Sequence, residues 1–323
     1  MCRGALLSMV LLALGAGCGT SDGTSRCLGG DPACTEPTTP PSITEPPTGP
    51  APARAVLQTV VSQVQLPRSA SEHARDLDGD GLPDNQLGRI LGALSAVMPQ
   101  LDVQGLLDGD IRAGRMLVLH EVVAPGLSDG TRGELRTYVG RPVEGVGPQH
   151  IFDGASTLQP LPSIDGRTSL RLEVQGGRLS AGPGDMVVPF VHLNPVPGGA
   201  PVLLPLKRVT VEADLGPGVL TGGRMTGAIP VQQMVDRVLP VLAKTVNDTY
   251  HMGGLEEQVR TGIRKAFDPN GDGRVTVEEF ANSPAVLLTL RNPDVDLDGN
   301  GVKDALSFGL SFKAVPCKID AGR

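Results

Sequence analysis

Apolar positions along the chain change texture twice. Val56, Leu57, Val60, Val61 and Val64 recur at helical spacing, which predicts an amphipathic helix ending near Pro67. Leu87, Ile90, Leu91, Leu94, Val97 and Met98 predict a second helix closed by Pro99, followed by a shorter helical or turn-rich piece over 103–113 in which Asp108 and Asp110 read as solvated. From about 115 to 228 the pattern becomes alternation and short apolar runs broken by Gly and Pro, as strands require. Candidate strands are 116–123, 134–139, 169–174, 186–192, 202–214 and 219–226. Helical segments do not alternate with them, so an antiparallel sandwich or barrel fits better than a parallel α/β sheet.

Helical spacing returns with Val231, Val235, Val238, Leu239, Leu242 and Val246, with Pro240 placed to kink the helix. Gly253 and Gly254 separate it from Leu255, Val259, Ile263 and Phe267, one face of another helix. An apolar run over 285–290 follows Pro284, and alternation over 306–315 predicts a closing strand. The expected fold class is therefore α+β: helices carrying acidic loops at both ends of a β-rich, sandwich- or barrel-like middle. The expected divisions are a helical segment at 53–114, a β-rich domain at 115–228 and a helical region at 229–323.

The acidic loops carry the chemistry. Residues 268–279, D-P-N-G-D-G-R-V-T-V-E-E, match D-x-[DN]-x-[DN]-G-x5-E at every fixed position. Ca²⁺ takes six to eight oxygens, and this spacing supplies them in order. Asp268, Asn270 and Asp272 offer side-chain oxygens, Arg274 its backbone carbonyl, Thr276 a direct or water-borne contact, and Glu279 both carboxylate oxygens. Gly273 stands where the chain turns sharply about the ion, and Phe280 is placed to pack against Phe267. The stretch 255–283 resembles the EF-hand family, and the layout as a whole resembles bacterial EF-hand lipoproteins, a likeness that implies no activity.

Two further loops repeat the pattern in part. Asp76, Asp78, Asp80, Gly81 and Asp84 follow its first nine positions, with Leu87 in place of the twelfth-position glutamate. Asp296, Asp298, Asn300 and Asp304 do the same, with Ser307 in that place, and D-L-D-G-N-G-V-K-D aligns without gaps on D-L-D-G-D-G-L-P-D. Both resemble the Asp-rich calcium repeats of dockerins and thrombospondin type 3 segments, although dockerin loops lie close together in one small module. A polar turn is the plainer reading of each, but alternating acids repel one another unless a cation lies between them. The eighth positions, Val275, Pro83 and Lys303, do not suggest the loop pairing a calcium sensor needs.

The N-terminus bears on compartment. Arg3 precedes an apolar run, 5–16, too short to span a bilayer, and Gly15, Ala16 and Gly17 lead into Cys18. This resembles a bacterial lipoprotein signal peptide over 1–17, with Gly15 where such signals usually carry Leu. The resemblance implies cleavage before Cys18, lipid on its thiol and, with Gly19 next, sorting to the outer membrane; an ordinary secretory signal is the alternative. Residues 18–52, rich in Thr, Pro and Gly, read as an extended tether. Within it Cys27 and Cys34 are expected to form a local disulfide, and Cys317 is left over, free or competing for one of them.

Composition narrows the partners. A net charge of −7 argues against nucleic acid, and no Trp, two Tyr and six Phe argue against stacking platforms for sugars or single strands. A G-x-S-x-G match at 126–130 is followed by turn and strand rather than the helix a nucleophile elbow needs, and His120-Glu121 lacks the second His of H-E-x-x-H because Ala124 stands there. No enzyme assignment follows. The expectation is a calcium-binding envelope lipoprotein, its ions structural, with a binding or scaffolding role, a lipid on Cys18 in the membrane and an unidentified protein or envelope partner. Alternatives are a secreted calcium-stabilised hydrolase using Ser128 or an unrecognised site, and a surface-assembly protein.

Overall fold

A computed structural model of the chain describes residues 54–97, 102–161, 168–190, 202–251, 253, 257–284, 286–287 and 293–320. The signal, the tether, Cys18, Cys27, Cys34 and Leu255 lie outside the described residues.

Ten strands are described: β1 (Arg54–Gln65), β2 (Leu117–Ala124), β3 (Arg132–Pro142), β4 (Thr157–Pro160), β5 (Thr168–Gln175), β6 (Arg178–Phe190), β7 (Val202–Leu215), β8 (Leu220–Pro230), β9 (Ala305–Pro316) and β10 (Lys318–Ile319). Eight form one antiparallel ring in the order β3-β2-β1-β9-β8-β7-β6-β5, and β5 returns to pair with β3. The far end of β3 carries β4, and β10 lies parallel to β4. A closed ring has no free edge, which removes the template that open sheets offer for aggregation.

This overturns the α+β expectation with helices at both ends of a β-rich middle. The fold is a β-barrel, and its few short helices are insertions between staves. Helices α1 (Gln86–Val97) and α2 (Val103–Arg112) lie between β1 and β2; α3 (Leu239–Tyr250), α4 (Glu257–Phe267) and α5 (Val277–Ala281) lie between β8 and β9. The stretch read as a first helix is the stave β1. A register shift between Val61 and Gln63 marks a bulge there. Leu57, Thr59 and Val61 alternate inward, and the extra residue then brings Val64 into the same core. The bulge puts Val64 three residues after Val61, and Val60 is apolar because it packs on the other face; together they give the spacing 57, 60, 61, 64, which mimics a helix, while the β-branched valines suit a strand.

The lumen is a packed core. Along β5, Thr168, Leu170, Leu172 and Val174 are buried while Ser169, Arg171, Glu173 and Gln175 face solvent. All eight residues of β2 are buried because both its faces are covered. Val118, Val122 and Ala124 join the main core, whereas Leu117 and Leu119 pack with Val60, Tyr138, Ile151, Leu158 and Cys317 outside the wall. Cys317 is free and buried, and burial pushes its thiol up to about 12, so it behaves as a small apolar side chain. Ile90, Leu107, Ile111, Met234, Val238 and Val246 extend the main core onto the helices. Before α3 the helix widens into a π turn over Met234–Val238, because Pro240 has no N–H to donate.

His120 is a buried imidazole in the wall. Its neighbours across the strands are Thr59 and Thr137, its Nδ1 lies 3.2 Å from Thr137 Oγ1, and its ring lies 5.6 Å from that of Phe312. Burial pushes its pKa down to about 4 from 6.5. The unfolded chain therefore takes up the proton first, and stability is lost as pH falls from 6.5 towards 4. His120→Gln should flatten this dependence: the wild type is expected to lose about 3 kcal/mol more than the variant across that window in urea unfolding. Equal losses in the two proteins would mean that the ring is solvated in the native state.

Candidate metal centre

Each acidic loop is built by its own backbone. In the first, Asp76 accepts the N–H groups of Gly79 (2.6 Å) and Gly81 (3.0 Å), Asp78 that of Asp80 (3.3 Å) and Asp80 that of Leu82 (2.8 Å). The 268–279 loop repeats this, with Asp268 on Gly271 and Gly273 N–H (2.8 and 3.0 Å), Asn270 on Asp272 (2.8 Å) and Asp272 on Arg274 (2.7 Å). So does the third, with Asp296 on Gly299 and Gly301 (2.8 and 2.6 Å), Asp298 on Asn300 (3.1 Å) and Asn300 on Val302 (2.7 Å). The fourth and sixth residues are glycines with φ between 72° and 85° in all three loops, a left-handed conformation that a Cβ would oppose. The result in each loop is a tight coil whose first, third and fifth side chains accept backbone N–H groups from within the coil.

The two incomplete loops share more. The ninth-position carboxylate accepts the second-position N–H in both: Leu77 N to Asp84 Oδ2 at 2.9 Å, and Leu297 N to Asp304 Oδ1 at 3.0 Å. Each is closed at its base by a single antiparallel bridge, Arg75 with Asp84 and Val295 with Ala305. They also lie side by side, although their sequences are far apart. Arg208 donates to Leu77 O (2.8 Å) and to Leu297 O (2.6 Å), the same position in each loop. Asp296 N reaches Asp78 Oδ2 at 3.3 Å, and Leu77 and Leu297 pack against Ala228, Val295 and Ala305 beneath them. Arg208 has φ 51° at a bulge in β7, a costly conformation for a residue with a side chain, sited where it holds the two loops together.

The barrel positions the pair. Asn85 caps α1, with Oδ1 accepting Gly88 N at 3.0 Å, and it also pairs with the backbone of Gly309 on β9. Gly309 is required there, since a Cβ would run into the carbonyl oxygen of His73. Gln86 N donates to Ser307 Oγ (2.6 Å), and the Ser307 hydroxyl donates to Asp294.

Among the described residues, one group of three carboxylates offers ligand atoms within 4.8 Å of one another: Asp76, Asp78 and Asp84. This group could hold a metal ion. Its electrostatics fit a cation. Asp84 is pushed up to about 6, first by burial and then by the negative charges of Asp294, Asp78 and Asp80, against the pull of the Leu77 N–H. Asp80 is held below the usual carboxylate range by the Leu82 N–H and by Lys303. A shallow depression of about 500 Å³ beside Asp84 is lined by Asp80, Leu82, Arg89, Asp294 and Lys303.

The loop that matches the calcium pattern in full is arranged differently. Glu279 Oε2 accepts Thr276 N (2.9 Å) and Thr276 Oγ1 (2.8 Å), forming the capping box of α5. Its carboxylate therefore does not gather with Asp268 and Asp272 as the three aspartates of the first loop do. Phe267 and Phe280 pack at 5.0 Å between ring centres, and both are buried. The loop's eighth residue, Val275, is paired by a side chain: its N–H donates to Asn247 Oδ1 at 2.8 Å, and its carbonyl accepts from Asn247 Nδ2. The carboxamide on α3 thus makes both hydrogen bonds that a partner strand would make.

Sequence reasoning placed Asp294 at the head of the third loop, but missed its bonds to Ser307 and missed Asn247 and Arg208 altogether. Asn247 and Arg208 belong to no motif, and each of these contacts spans 13 or more residues, so local spacing carried no signal. Ser128 lies exposed in the turn between β2 and β3, its hydroxyl 3.3 Å from Thr131 Oγ1, with strand rather than helix after it. No family model, curated protein or solved structure matches the chain.

Cation affinity of the first loop should rise as pH climbs through about 6, because Asp84 must ionise to ligate and binding releases its proton. Calorimetry at about pH 5 and about pH 7 checks this; equal affinities would remove Asp84 from the ligand set. Asn247→Ala leaves the buried backbone of Val275 without partners and should cost roughly 1–3 kcal/mol, read as a lower melting temperature.

Proposed function

We propose that the chain is a calcium-binding lipoprotein of the cell envelope, in which the ions fasten the structure and the barrel serves as a binding or scaffolding body. The observation that carries the calcium reading is the convergence of Asp76, Asp78 and Asp84 within 4.8 Å, in a loop whose hydrogen bonding recurs in the other two. The donors are carboxylate, carboxamide, hydroxyl and carbonyl oxygens without a thiolate or imidazole, which suits Ca²⁺ better than zinc or copper. In the first loop Asp76, Asp78, Asp80 and Asp84 would hold the ion; in the third, Asp296, Asp298, Asn300 and Asp304. In the EF-like loop the ligands would be Asp268, Asn270, Asp272, Arg274, Thr276 and Glu279.

A structural role is favoured over a sensory one by where the loops sit. The first and third loops are tied to one another and to β7 through Arg208, and the EF-like loop is tied to α3 by Asn247. A sensor needs a pair of helices free to open, whereas these loops join segments remote in sequence. The envelope reading rests on the resemblance of residues 1–17 to a lipoprotein signal ending at Cys18 and on the Pro-rich stretch after it.

Thermal melting of the full chain in calcium and in excess chelator tests the reading. An ion that binds only the native state at about 100 times its Kd adds about 2.7 kcal/mol per site, so the midpoint should rise by several degrees. An unchanged midpoint would refute structural calcium. Glu279→Gln should remove one site from the calorimetric stoichiometry, or weaken it about tenfold or more, while leaving the Asp76–Asp84 site intact.

A further inference from the structure

Lys303 is the eighth residue of the third loop, yet its ammonium serves the first. Its Nζ lies 3.2 Å from Asp80 Oδ2 and 3.6 Å from Asp78 Oδ2, and it donates to Asp294 O at 2.9 Å. Asp78 and Asp80 are the third and fifth positions of their loop, two of the side chains that an ion bound there would use. The Asp78 side chain is only 7% exposed, so it needs a counter-charge close by, and a flexible lysine that is itself 44% exposed supplies one. Arg208 differs in kind: it touches backbone carbonyls at the second position of both loops and does not compete for the carboxylates.

We infer that Lys303 is a built-in counter-cation of the Asp76–Asp84 loop, which an entering divalent ion must displace. The inference rests on the cation reading of that loop given above. With the loop empty, the ammonium offsets part of the repulsion among four carboxylates and keeps the two loops in register. A divalent ion held by Asp78 and Asp80 would take over the carboxylates that face the ammonium, and the lysine's flexible stem would let its head group move into water at little cost. The third loop therefore sets the affinity of the first. The chain keeps its loop pair assembled at low calcium in exchange for a weaker site, as suits an ion that is abundant rather than scarce.

The test is calorimetric titration of the full chain with calcium chloride, beside thermal melting in chelator. Lys303→Met keeps the apolar stem and removes the charge; Lys303→Gln is a second neutral variant should the first not fold. Either is expected to bind one ion roughly tenfold more tightly than the wild type and to melt lower in chelator. Lys303→Arg, which keeps the charge, should bind as the wild type does. Adding Asp76→Asn to Lys303→Met should abolish the gain and thereby assign it to the first loop. Neutral variants that bind the same number of ions with unchanged affinity would overturn the role of Lys303 and leave the cation reading standing. Binding of no calcium by either wild type or variants would overturn both.

Discussion

The structure depends on the antiparallel pairing of β1 with β9, in which Gln65 lies opposite Ser311 and Thr59 opposite Pro316. That ladder closes the ring and gives the lumen its last wall. It also dictates where the acidic loops go. One loop follows β1 in the chain and the other immediately precedes β9, and antiparallel strands place the end of one beside the start of the other. Two Asp-rich segments from opposite ends of the folded chain therefore arrive at the same rim of the barrel, where Arg208 on β7 reaches both.

That convergence concentrates negative charge, and the surroundings bear its marks. Asp84 is pushed towards its neutral form, Lys303 is drawn across from the neighbouring loop, and Arg208 holds a strained backbone conformation between them. The EF-like loop lies apart from this arrangement. With Asn247 completing its eighth position, it has no opening for a second loop of its kind.

Much of the barrel was legible in the sequence where alternation was unbroken. β2, β3, β5, β7 and β8 lie within a few residues of the predicted strands, and β9 matches the expected closing strand. What misled was the bulge. An extra residue in β1, together with Val60 packed on the outer face, made Leu57, Val60, Val61 and Val64 a helical pattern, and Gly182, Pro183 and Gly184 disguised the bulged first half of β6 as a turn. Losing β1 concealed ring closure itself, which is why an α+β body with helical ends looked reasonable. The acidic loops were legible because their chemistry lies in short-range spacing, down to the ungapped likeness of 76–84 to 296–304. Their neighbours Arg208 and Asn247, and the bonds of Asp294 to Ser307, were not, because those contacts exist only once the ring has formed.

Ring closure also sets a timetable. β9 pairs on one side with β1, the first described strand, and on the other with β8. A chain made from its N-terminus has already exposed β1 to β8 before this stave becomes available. Until then β1 and β8 are both open edges, and loop closure over so long a separation is slow. The unfinished barrel is thus a sheet with two unpaired edges during synthesis. Closure, the step that buries both edges, therefore waits on the last long stave.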